Sequence, residues 1–325
     1  MSGLAGVVLV TGGTGSLGQA ILARAAAEGW DARFIVYSRD EVKQAAVRAA
    51  HPDVRCVLGD VRDAETLEAA MRGVDVVVHA AAYKRVPEAE RETMACVQAN
   101  VVGSMTVVRE ALRVGVPRVI GISTDKACSP ISAYGASKML MERLFQSVAD
   151  RLPRVSFALV RFGNVIASRG SVVPLFRAQA EAGGPLRLTD PTMTRFWLTL
   201  DDAVDLVVAS VVLDSGTVLV PRCWASSMAT MAEAVAPGVP TVTIGARSAE
   251  KHDEQVLNAH ESPYAREAWP CFLLRPLSGA PDAQLPDGFE YRSDTAPQFT
   301  PAALRDVLLR MDAGEVVRTV GTYGA

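Results

Sequence analysis

Two short segments near the middle of the chain carry residue types that could move protons. Tyr134 and Lys138 stand four residues apart, a spacing that places both side chains on one face of a helix. A lysine ammonium beside a phenol favours the phenolate and lowers its pKa from the ordinary value of about 10. Thr124, Asp125 and Lys126 precede them and add a hydroxyl, an acid and an amine. The five residues are therefore predicted to form a catalytic centre in which Tyr134 acts as a base.

The same residues have a purely structural alternative. Tyr134 and Lys138 could belong to an ordinary exposed helical turn. Asp125 and Lys126 could form a local ion pair, which contributes less than about 1 kcal/mol when it is exposed. The catalytic interpretation is favoured because a glycine-rich turn and a regular series of strands accompany these residues.

That glycine-rich turn is typical of a dinucleotide-binding site. Thr11–Gly18 reads Thr-Gly-Gly-Thr-Gly-Ser-Leu-Gly and joins the apolar run Val7–Val10 to a helical pattern. Glycine permits a tight turn and lets the backbone approach a pyrophosphate, which then lies at the positive N-terminus of the helix. A glycine triplet alone is weak evidence, but between a strand and a helix it is strong. The predicted contacts are Gly12, Thr14, Gly15, Ser16, Leu17 and Gly18.

The end of the second strand indicates which dinucleotide is bound. NAD enzymes usually place a carboxylate there to bind the ribose 2′-hydroxyl, whereas this strand ends in Ser38 and Arg39, followed by Lys43. These three side chains could hold a 2′-phosphate, for which arginine supplies bidentate donors. NADP is therefore predicted in preference to NAD, although Asp40 would also suit the N-cap of an ordinary helix. Further predicted cofactor contacts are Asp60, Val61, Ala80, Ala81 and Ala82.

The elements that position these residues follow a β-α-β-α order, which predicts an α/β fold with a doubly wound parallel Rossmann sheet. Apolar runs predict strands at Val7–Val10, Arg33–Tyr37, Arg55–Leu58, Val74–His79, Arg118–Ile122 and Ser156–Arg161. Helical patterns cover Leu17–Glu28, Glu65–Arg72, Met94–Arg113 and Ala133–Val148. The order places the candidate catalytic residues after the fifth strand.

After residue 161, glycines and prolines interrupt the regular pattern. We therefore predict an NADP-binding domain over residues 1–165, on which residues 200–222 pack back. A smaller α/β substrate lobe on the C-terminal side is predicted over residues 166–199 and 223–325.

Composition narrows the possible partners and the cellular compartment. The chain of 325 residues has a net charge of −3, without the basic patch expected for binding nucleic acid or an anionic membrane. No apolar run approaches the ~20 residues that span a bilayer, and the N-terminus lacks the features of a signal peptide. Five scattered cysteines indicate reduced thiols in the cytoplasm, and His79 and His252 have no second ligand at metal spacing.

Several longer segments resemble those of a known enzyme family. The chain resembles the extended short-chain dehydrogenases/reductases, and among them the soluble UDP-N-acetylglucosamine 4,6-dehydratases of pseudaminic acid and capsule pathways. The Asp125-Lys126 pair after Thr124 distinguishes this group from simple epimerases. The segments that carry the resemblance are Tyr37–Glu41, Ala82–Glu90, Ser123–Lys126, Phe162–Val165, Ser168–Pro174 and Met193–Trp197.

The resemblance implies a role for each catalytic residue. Thr124 and Tyr134 would hold the sugar 4-hydroxyl while its carbon gives hydride to NADP, with Lys138 binding the nicotinamide ribose. Lys126 would then remove the C5 proton made acidic by the new 4-ketone, and Asp125 would protonate the departing 6-hydroxyl. Such an elimination needs an acid and a base of opposed pKa. The hydride would return to C6.

The resemblance also implies contacts with the ligands and an assembly. Lys84 and Asn100 would line the cofactor and sugar, and Glu254 would meet the nucleotide ribose. Residues implied to hold the UDP-N-acetylhexosamine are Lys84, Asn164, Arg169, Val173, Arg195 and Arg247. Members of the family form homo-oligomers, from dimers to hexamers.

Three departures from the family pattern leave the sugar and the end product open. The loop Arg247–Lys251 lacks the usual proline and glycine, Ile131–Ala133 differs before the catalytic tyrosine, and Trp224 could reshape the substrate pocket. The alternatives are a UDP-sugar 4-epimerase and a dehydratase that stops at the 5,6-alkene. A catalytically silent NADP-binding protein is a third possibility, which intact Thr124, Tyr134 and Lys138 disfavour.

Overall fold

The N-terminal half of the chain alternates strands and helices. A computed structural model describes residues 3–152, 154–276, 279–281 and 284–321. The first strands are β1 Gly6–Thr11, β2 Ala32–Ser38, β3 Arg55–Leu58, β4 Val76–His79, β5 Arg118–Thr124 and β6 Ser156–Phe162. The helices between them are α1 Ser16–Glu28, α2 Glu41–Ala50, α3 Ala64–Met71, α4 Val86–Arg91, α5 Thr93–Val97, α6 Gly103–Val114 and α7 Ala133–Arg151.

The strands form the predicted doubly wound sheet. The strands in the order β3-β2-β1-β4-β5-β6 are all parallel. The chain adds β2 and β3 on one side of β1 and then β4, β5 and β6 on the other side, so the strand order reverses between β1 and β4. Val8, Leu9 and Val10 are completely buried, as expected for a strand covered by helices on both faces. The predicted α/β fold class is confirmed. Because the strands are parallel, their carboxyl ends meet at one edge of the sheet.

The C-terminal half contributes to both lobes of the molecule. Its helices are α8 Val172–Glu181, α9 Leu200–Ser210, α10 Met228–Val235 and α11 Pro301–Asp312. Its strands are β7 Asn164–Val165, β8 Leu186–Leu188, β9 Thr194–Leu198, β10 Val218–Pro221, β11 Trp224–Ser227, β12 Thr241–Thr243, β13 Gln255–Leu257, β14 Ala265–Ala268, β15 Cys271–Leu274 and β16 Tyr291–Arg292. Helix α9 packs against α1 and β6, and β10 pairs in parallel with β6.

The predicted boundary at residue 223 needs correction. Strands β14 and β15 fall inside the range assigned to the substrate lobe, yet they extend the central sheet beyond β10 as antiparallel strands. The chain therefore returns to the sheet after building part of the second lobe. Antiparallel strands can follow each other through a tight connection without a crossover helix, so the alternating β-α signal disappears there.

The smaller lobe has its own hydrophobic cluster. Strands β11, β9 and β7 form one small sheet, and β12 pairs with β8. Trp197, Phe176, Met231 and Leu304 are buried in this cluster. The lobe therefore provides a second wall opposite the carboxyl edge of the central sheet.

One predicted helix has a more complex form. The range Met94–Arg113 is divided into α5, a π-helical turn at Gln98–Val102 and α6. Within the described parts of the chain, no helix is both long enough and apolar enough to cross a membrane.

Candidate active site

A cavity of about 2320 Å³ runs along the carboxyl edge of the central sheet and under the smaller lobe. At one end it is lined by the glycine-rich turn, and at the other by the segment Arg247–Glu254. Thr124, Lys126 and Tyr134 lie on its wall between these ends. The cavity thus brings together most of the residues predicted from separate parts of the sequence.

The glycine-rich turn fits the pyrophosphate of a dinucleotide. Gly12 has a φ of 67°, and a Cβ there would lie 2.8 Å from the backbone of Ala81. A Cβ on Gly18 would lie 2.3 Å from the carbonyl oxygen of Gly13. Helix α1 is capped by Gly15 without a side-chain hydrogen bond, so its first N–H groups remain available to an anion. This end of the cavity therefore has the close backbone packing and the donors that a pyrophosphate requires.

The cationic residues predicted to bind the 2′-phosphate of the cofactor ribose lie at this end of the cavity, where each forms an ion pair with a carboxylate. Arg39, which is 64% exposed, has its Nη1 3.3 Å from Asp60 Oδ2. Lys43 forms an ion pair with Asp40, the N-cap of α2. Hydrogen bonds from Arg62 are the main reason that the pKa of Asp60 falls to about 2. The two cations thus lie at the cofactor end, and each is paired with a carboxylate.

Strand β5 and helix α7 position the catalytic residues. Thr124 is the last residue of β5, and Asp125 and Lys126 begin a 3-10 turn directly after it. Ser132 caps α7 by accepting a hydrogen bond from the Gly135 N–H at 3.0 Å. Tyr134 therefore lies in the first turn of the helix, facing the end of β5.

Burial dominates the protonation of the tyrosine and lysine pair. The prediction that Lys138 lowers the pKa of Tyr134 is wrong for this arrangement. Burial raises the pKa of Tyr134 to about 12, and the charge that opposes this effect belongs to Lys126. Burial also lowers the pKa of Lys138 to about 8, and its Nζ lies 3.2 Å from Met141 Sδ. Burial thus favours the protonated phenol of Tyr134, which a hydrogen bond links with Thr124.

Asp125, Lys126 and Glu254 form one buried cluster. Lys126 Nζ lies 3.1 Å from Asp125 Oδ1 and 2.8 Å from Glu254 Oε1. Asp125 is 0% exposed and does not reach the cavity wall, whereas Lys126 and Glu254 do. The structural alternative of an exposed local ion pair is therefore excluded. A neighbouring residue of the wall, Gly163, lacks a side chain beside Asp125 Oδ2, to which a Cβ would come within 3.4 Å.

The groups of the cluster shift each other's pKa. Burial, and after it the charge of Glu254, raise the pKa of Asp125 against the opposing effect of Lys126. Burial alone would lower the pKa of Lys126, but the two carboxylates outweigh it and raise that pKa. Burial would raise the pKa of Glu254, but Lys126 and Arg195 outweigh it and lower that pKa. Asp125 thus tends to stay protonated, whereas Glu254 tends to stay ionised.

Polar and cationic side chains line the cavity from the glycine-rich turn to the opposite end. Arg169 lies beside the glycine-rich turn: its guanidinium donates to the Thr14 carbonyl and its backbone N–H to Ser16 Oγ, at 3.2 Å. Arg195 is 6% exposed and is held by the carbonyl oxygens of Thr194, Lys251 and His252, and by Glu250. The other predicted substrate contacts on this wall are Lys84, Asn164 and Arg247. These cations suit the diphosphate of a nucleotide-sugar.

Comparisons with known proteins agree with this arrangement. The model of the polysaccharide biosynthesis protein family matches residues 8–274. This chain belongs to that family.

Individual relatives cover most of the chain. The UDP-N-acetylglucosamine 4,6-dehydratase (inverting) of Campylobacter jejuni is 36% identical over 311 residues, which cover 89% of this chain and 93% of the relative. The UDP-glucose 4-epimerase of Rickettsia massiliae is 41% identical over 284 residues, 84% of this chain and 83% of the relative. Among solved structures, Pen from Bacillus thuringiensis superposes with a TM-score of 0.87 at 30% identity, covering 95% of this chain and 100% of Pen.

Three predictions for this member of the polysaccharide biosynthesis protein family are corrected by the structure. Asn100 is buried away from the cavity, where it donates to Ser137 Oγ at 2.9 Å and to the Tyr83 carbonyl at 3.0 Å. Val173 is completely buried in the cluster of the smaller lobe. Trp224 packs against Phe299 at a ring-centroid distance of 5.3 Å and does not line the cavity.

Other residues of this family member line the site without having been predicted. Lys251 lies on the cavity wall, and its Nζ donates to the Cys128 carbonyl at 2.6 Å. This hydrogen bond connects the loop Arg247–Lys251 to the residue that follows the 3-10 turn of Asp125 and Lys126. Ala249, at the family's usual glycine position, has a φ of 58° and so keeps a conformation that favours glycine. The departure of the loop from the family pattern was visible in the sequence, but its contact with residue 128 was not.

Proposed function

We propose that this protein is a UDP-N-acetylglucosamine 4,6-dehydratase. The observation that carries the proposal is the buried Asp125–Lys126 contact of 3.1 Å directly after Thr124. Epimerisation at C4 needs groups that handle the 4-hydroxyl alone. Water elimination across C5 and C6 needs a further base and a further acid, and Lys126 and Asp125 could provide them. The dehydratase relative, which matches 89% of this chain, supports the same activity.

We infer that NADP occupies the glycine-rich end of the cavity. The turn from Gly12 to Gly18 would hold the pyrophosphate, and Ser38, Arg39 and Lys43 would hold the 2′-phosphate. When bound, the nicotinamide ring supplies the acceptor and donor of hydride. The preference for NADP over NAD is supported by two cations at the end of β2 in place of a carboxylate on the ribose.

The chain's own residues would divide the proton chemistry. Tyr134 and Thr124 would bind the 4-hydroxyl. Tyr134 would first release its own phenolic proton to solvent and would then take the 4-hydroxyl proton as the C4 carbonyl forms. Lys126 would take the C5 proton. Asp125 would give a proton to the 6-hydroxyl as the C6–O bond breaks. The electron pair of the C5–H bond becomes the C5–C6 double bond, and one water leaves.

The proposed activity is tested by incubating the protein with UDP-N-acetylglucosamine in deuterated water, followed by mass spectrometry and proton NMR. Loss of one water, a new methyl signal and deuterium at C5 are expected. Vinyl protons without a methyl signal would indicate a dehydratase that stops at the 5,6-alkene. An unchanged mass with conversion to the galacto isomer would replace the proposal with the epimerase activity named for the Rickettsia relative.

The role of Lys126 is tested by Lys126→Met, which removes the base and keeps the length of the side chain. This variant is expected to form reduced nicotinamide on adding substrate but to lose water at least about 100-fold more slowly. Absorbance of the reduced nicotinamide and loss of water are measured separately. If both fall together, Lys126 acts before the elimination and its assignment is wrong.

The cofactor preference is tested by the double variant Arg39→Ala with Lys43→Ala. We expect its affinity for NADP to fall by about 10- to 100-fold, with little change for NAD, because charge-assisted contacts to phosphate are lost. Arg33→Ala is the control, since Arg33 is an exposed residue of β2 outside the cavity. An equal loss for both dinucleotides would contradict the assignment of the 2′-phosphate site.

Two broader proposals follow from the family resemblance and the composition. We propose that the enzyme is a cytoplasmic homo-oligomer, between a dimer and a hexamer. Its five cysteines are free thiols, which suits a reducing compartment. Light scattering on the purified protein measures the mass of the assembly, and a monomer at micromolar concentration would contradict this proposal.

A further inference from the structure

A carboxylate from a distant part of the chain completes the catalytic cluster. Glu254 directly precedes β13, and its Oε1 lies 2.8 Å from Lys126 Nζ. It is 2% exposed, and its backbone N–H donates to Ser293 Oγ at 2.8 Å. This side chain is therefore held against the ammonium of Lys126, which Asp125 also contacts at 3.1 Å.

The cluster holds two carboxyl groups around one ammonium. Asp125 Oδ2 and Glu254 Oε2 are both buried, and neither has a hydrogen-bond partner among the described residues. Arg195 is already paired with Glu250 at 3.2 Å, so two ionised carboxylates around Lys126 would leave one negative charge uncompensated in a buried place, which is unfavourable. Such a cluster lowers its energy by binding one additional proton, as paired carboxylic acids do.

The cations around the cluster decide which carboxyl group takes this proton. Glu254 faces Lys126, Arg195 at 4.0 Å and the more distant Lys251. Asp125 faces one cation, Lys126, and accepts a hydrogen bond from Thr124 Oγ1 at 2.9 Å. The other titratable groups near the cluster are Tyr134 on α7, Cys223 before β11 and Glu250, the partner of Arg195. The greater number of cations stabilises the charge on Glu254.

We propose that Glu254 is a positioning residue of the elimination: its carboxylate pairs with Lys126 and leaves Asp125 as the protonated acid. This inference rests on the proposed dehydratase function and adds a residue to it. Glu254 acts through Lys126 and Asp125 and need not touch the reacting carbons.

The proton count balances over the step. The resting cluster holds two protons, one on the Lys126 ammonium and one on Asp125. Lys126, which lies on the cavity wall, releases its ammonium proton to solvent and becomes a neutral amine. Lys126 then takes the C5 proton while Asp125 gives its proton to the leaving hydroxyl. Asp125 regains a proton from solvent, so the proton number of the cluster is unchanged and one water has left.

The pH profile of water loss tests this role. The negative charge of Glu254 favours the protonated forms of both neighbours, so Glu254→Gln should lower the pKa of Lys126 and that of Asp125. Both midpoints of the bell-shaped rate profile are therefore expected to move to lower pH, by about one unit. A purely structural role would lower the rate without moving either midpoint, and that result would overturn the proposal.

Two further variants isolate the charge on Glu254. Glu254→Asp keeps the charge, and its midpoints should return towards those of the wild type. Asp253→Asn removes one negative charge from the neighbouring position, but Asp253 bonds to Thr194 Oγ1 and His252 Nδ1 and does not line the cavity. Its midpoints should stay at the wild-type values. Equal shifts in Asp253→Asn and Glu254→Gln would contradict a specific role of Glu254.

The wild-type enzyme provides a test that does not depend on folding of the Glu254 variants. Infrared spectroscopy at neutral pH should show a protonated carboxyl band that is lost in Asp125→Asn. Absence of this band in the wild type would overturn the proposal. The dehydratase function itself is judged separately, because wild-type protein that releases no water refutes the function, whatever the protonation of Asp125.

Discussion

At the scale of single residues, burial decides the chemistry of the catalytic side chains more than their neighbours in sequence do. Tyr134 and Lys138 share a helical face, but the phenol is influenced more strongly by Lys126, which comes from the turn after β5. Lys138 loses much of its preference for the charged state because it is buried. The helical spacing therefore brings the pair together without producing a phenolate.

Replacing Tyr134 with phenylalanine tests its role in proton transfer. The variant should retain the cofactor but lower the rate of nicotinamide reduction about 100- to 10,000-fold, because it lacks the group that takes the 4-hydroxyl proton. Stopped-flow absorbance after adding substrate measures this step. Tyr264→Phe removes a phenol outside the cavity and is the matched control. Equal rates in the two variants would show that Tyr134 does not transfer the proton.

At the scale of elements, the glycine-rich turn works by close contact between backbones. The turn between β1 and α1 approaches the segment after β4 so closely that a methyl group at Gly12 has no room. The same region is tied together by His79, whose ring lies 2.8 Å from Thr11 Oγ1 and 3.0 Å from Ser104 Oγ. These contacts hold β1, β4 and α6 together beneath the cofactor end.

Gly12→Ala should be more harmful than an alanine at another glycine with positive φ. The strain of the left-handed conformation costs about 1–2 kcal/mol, and the collision with Ala81 adds about 1–3 kcal/mol. Gly115→Ala has the same type of strain, with φ of 81°, but no atom within 4 Å, so about 1–2 kcal/mol is expected. Urea denaturation measures both losses. Retention of bound dinucleotide by Gly12→Ala, at the wild-type level, would contradict the assigned role of the turn.

His79 should make folding stability depend on pH. Burial lowers its pKa to about 3, below the value of 6.5 for an unperturbed histidine. The unfolded chain therefore binds the proton first, so stability is full above pH 6.5 and is lost as the pH falls towards 3. Between pH 7 and pH 5 the loss amounts to about 2 kcal/mol.

Denaturation of the variant His79→Gln at these two pH values measures that contribution. The variant should be less stable than the wild type at pH 7 and should lose about 2 kcal/mol less between the two values. His51→Gln, at the partly exposed end of α2, serves as control. An unchanged pH dependence in His79→Gln would show that this histidine does not titrate on unfolding.

At the scale of the whole molecule, a buried ion network joins the two halves of the chain. Arg161 on β6 is 1% exposed and donates to Glu142 on α7 and to Glu261 in the C-terminal half. Glu142 also accepts from Ser123 Oγ at 2.5 Å, next to the catalytic turn. The network therefore holds Ser123, next to the catalytic Thr124, and the Val256 carbonyl in the segment that follows Glu254.

Arg161→Met tests how strongly this network stabilises the fold. The change leaves two buried carboxylates without their cation, and a loss of about 3–5 kcal/mol in unfolding free energy is expected. Arg177→Met breaks the exposed pair with Asp312 and should cost less than about 1 kcal/mol. Thermal and urea denaturation compare the two variants. Similar losses would mean that solvent reaches the Arg161 network.

The regular first half of the chain made much of the fold predictable. Apolar strands separated by helical patterns gave the doubly wound sheet, because strands buried on both faces must be apolar along their whole length. Irregular short strands such as β14 and β15 carry no such signal, so their place on the central sheet was missed. Likewise, Asn100 and Val173 fell in recognisable segments but point into the interior, which a linear motif does not reveal.

The sequence by itself determined the local chemistry: the glycine turn, the Tyr134 and Lys138 pair, and the adjacent Thr124, Asp125 and Lys126. These depend on spacing along one strand, turn or helix, and such spacing is a property of the sequence. The tertiary structure decided that Glu254 contacts Lys126, that Asp125 is enclosed and that the pKa of Tyr134 rises. Those outcomes depend on burial and on charges brought together from distant segments, and both arise only when those segments pack against each other in the folded chain.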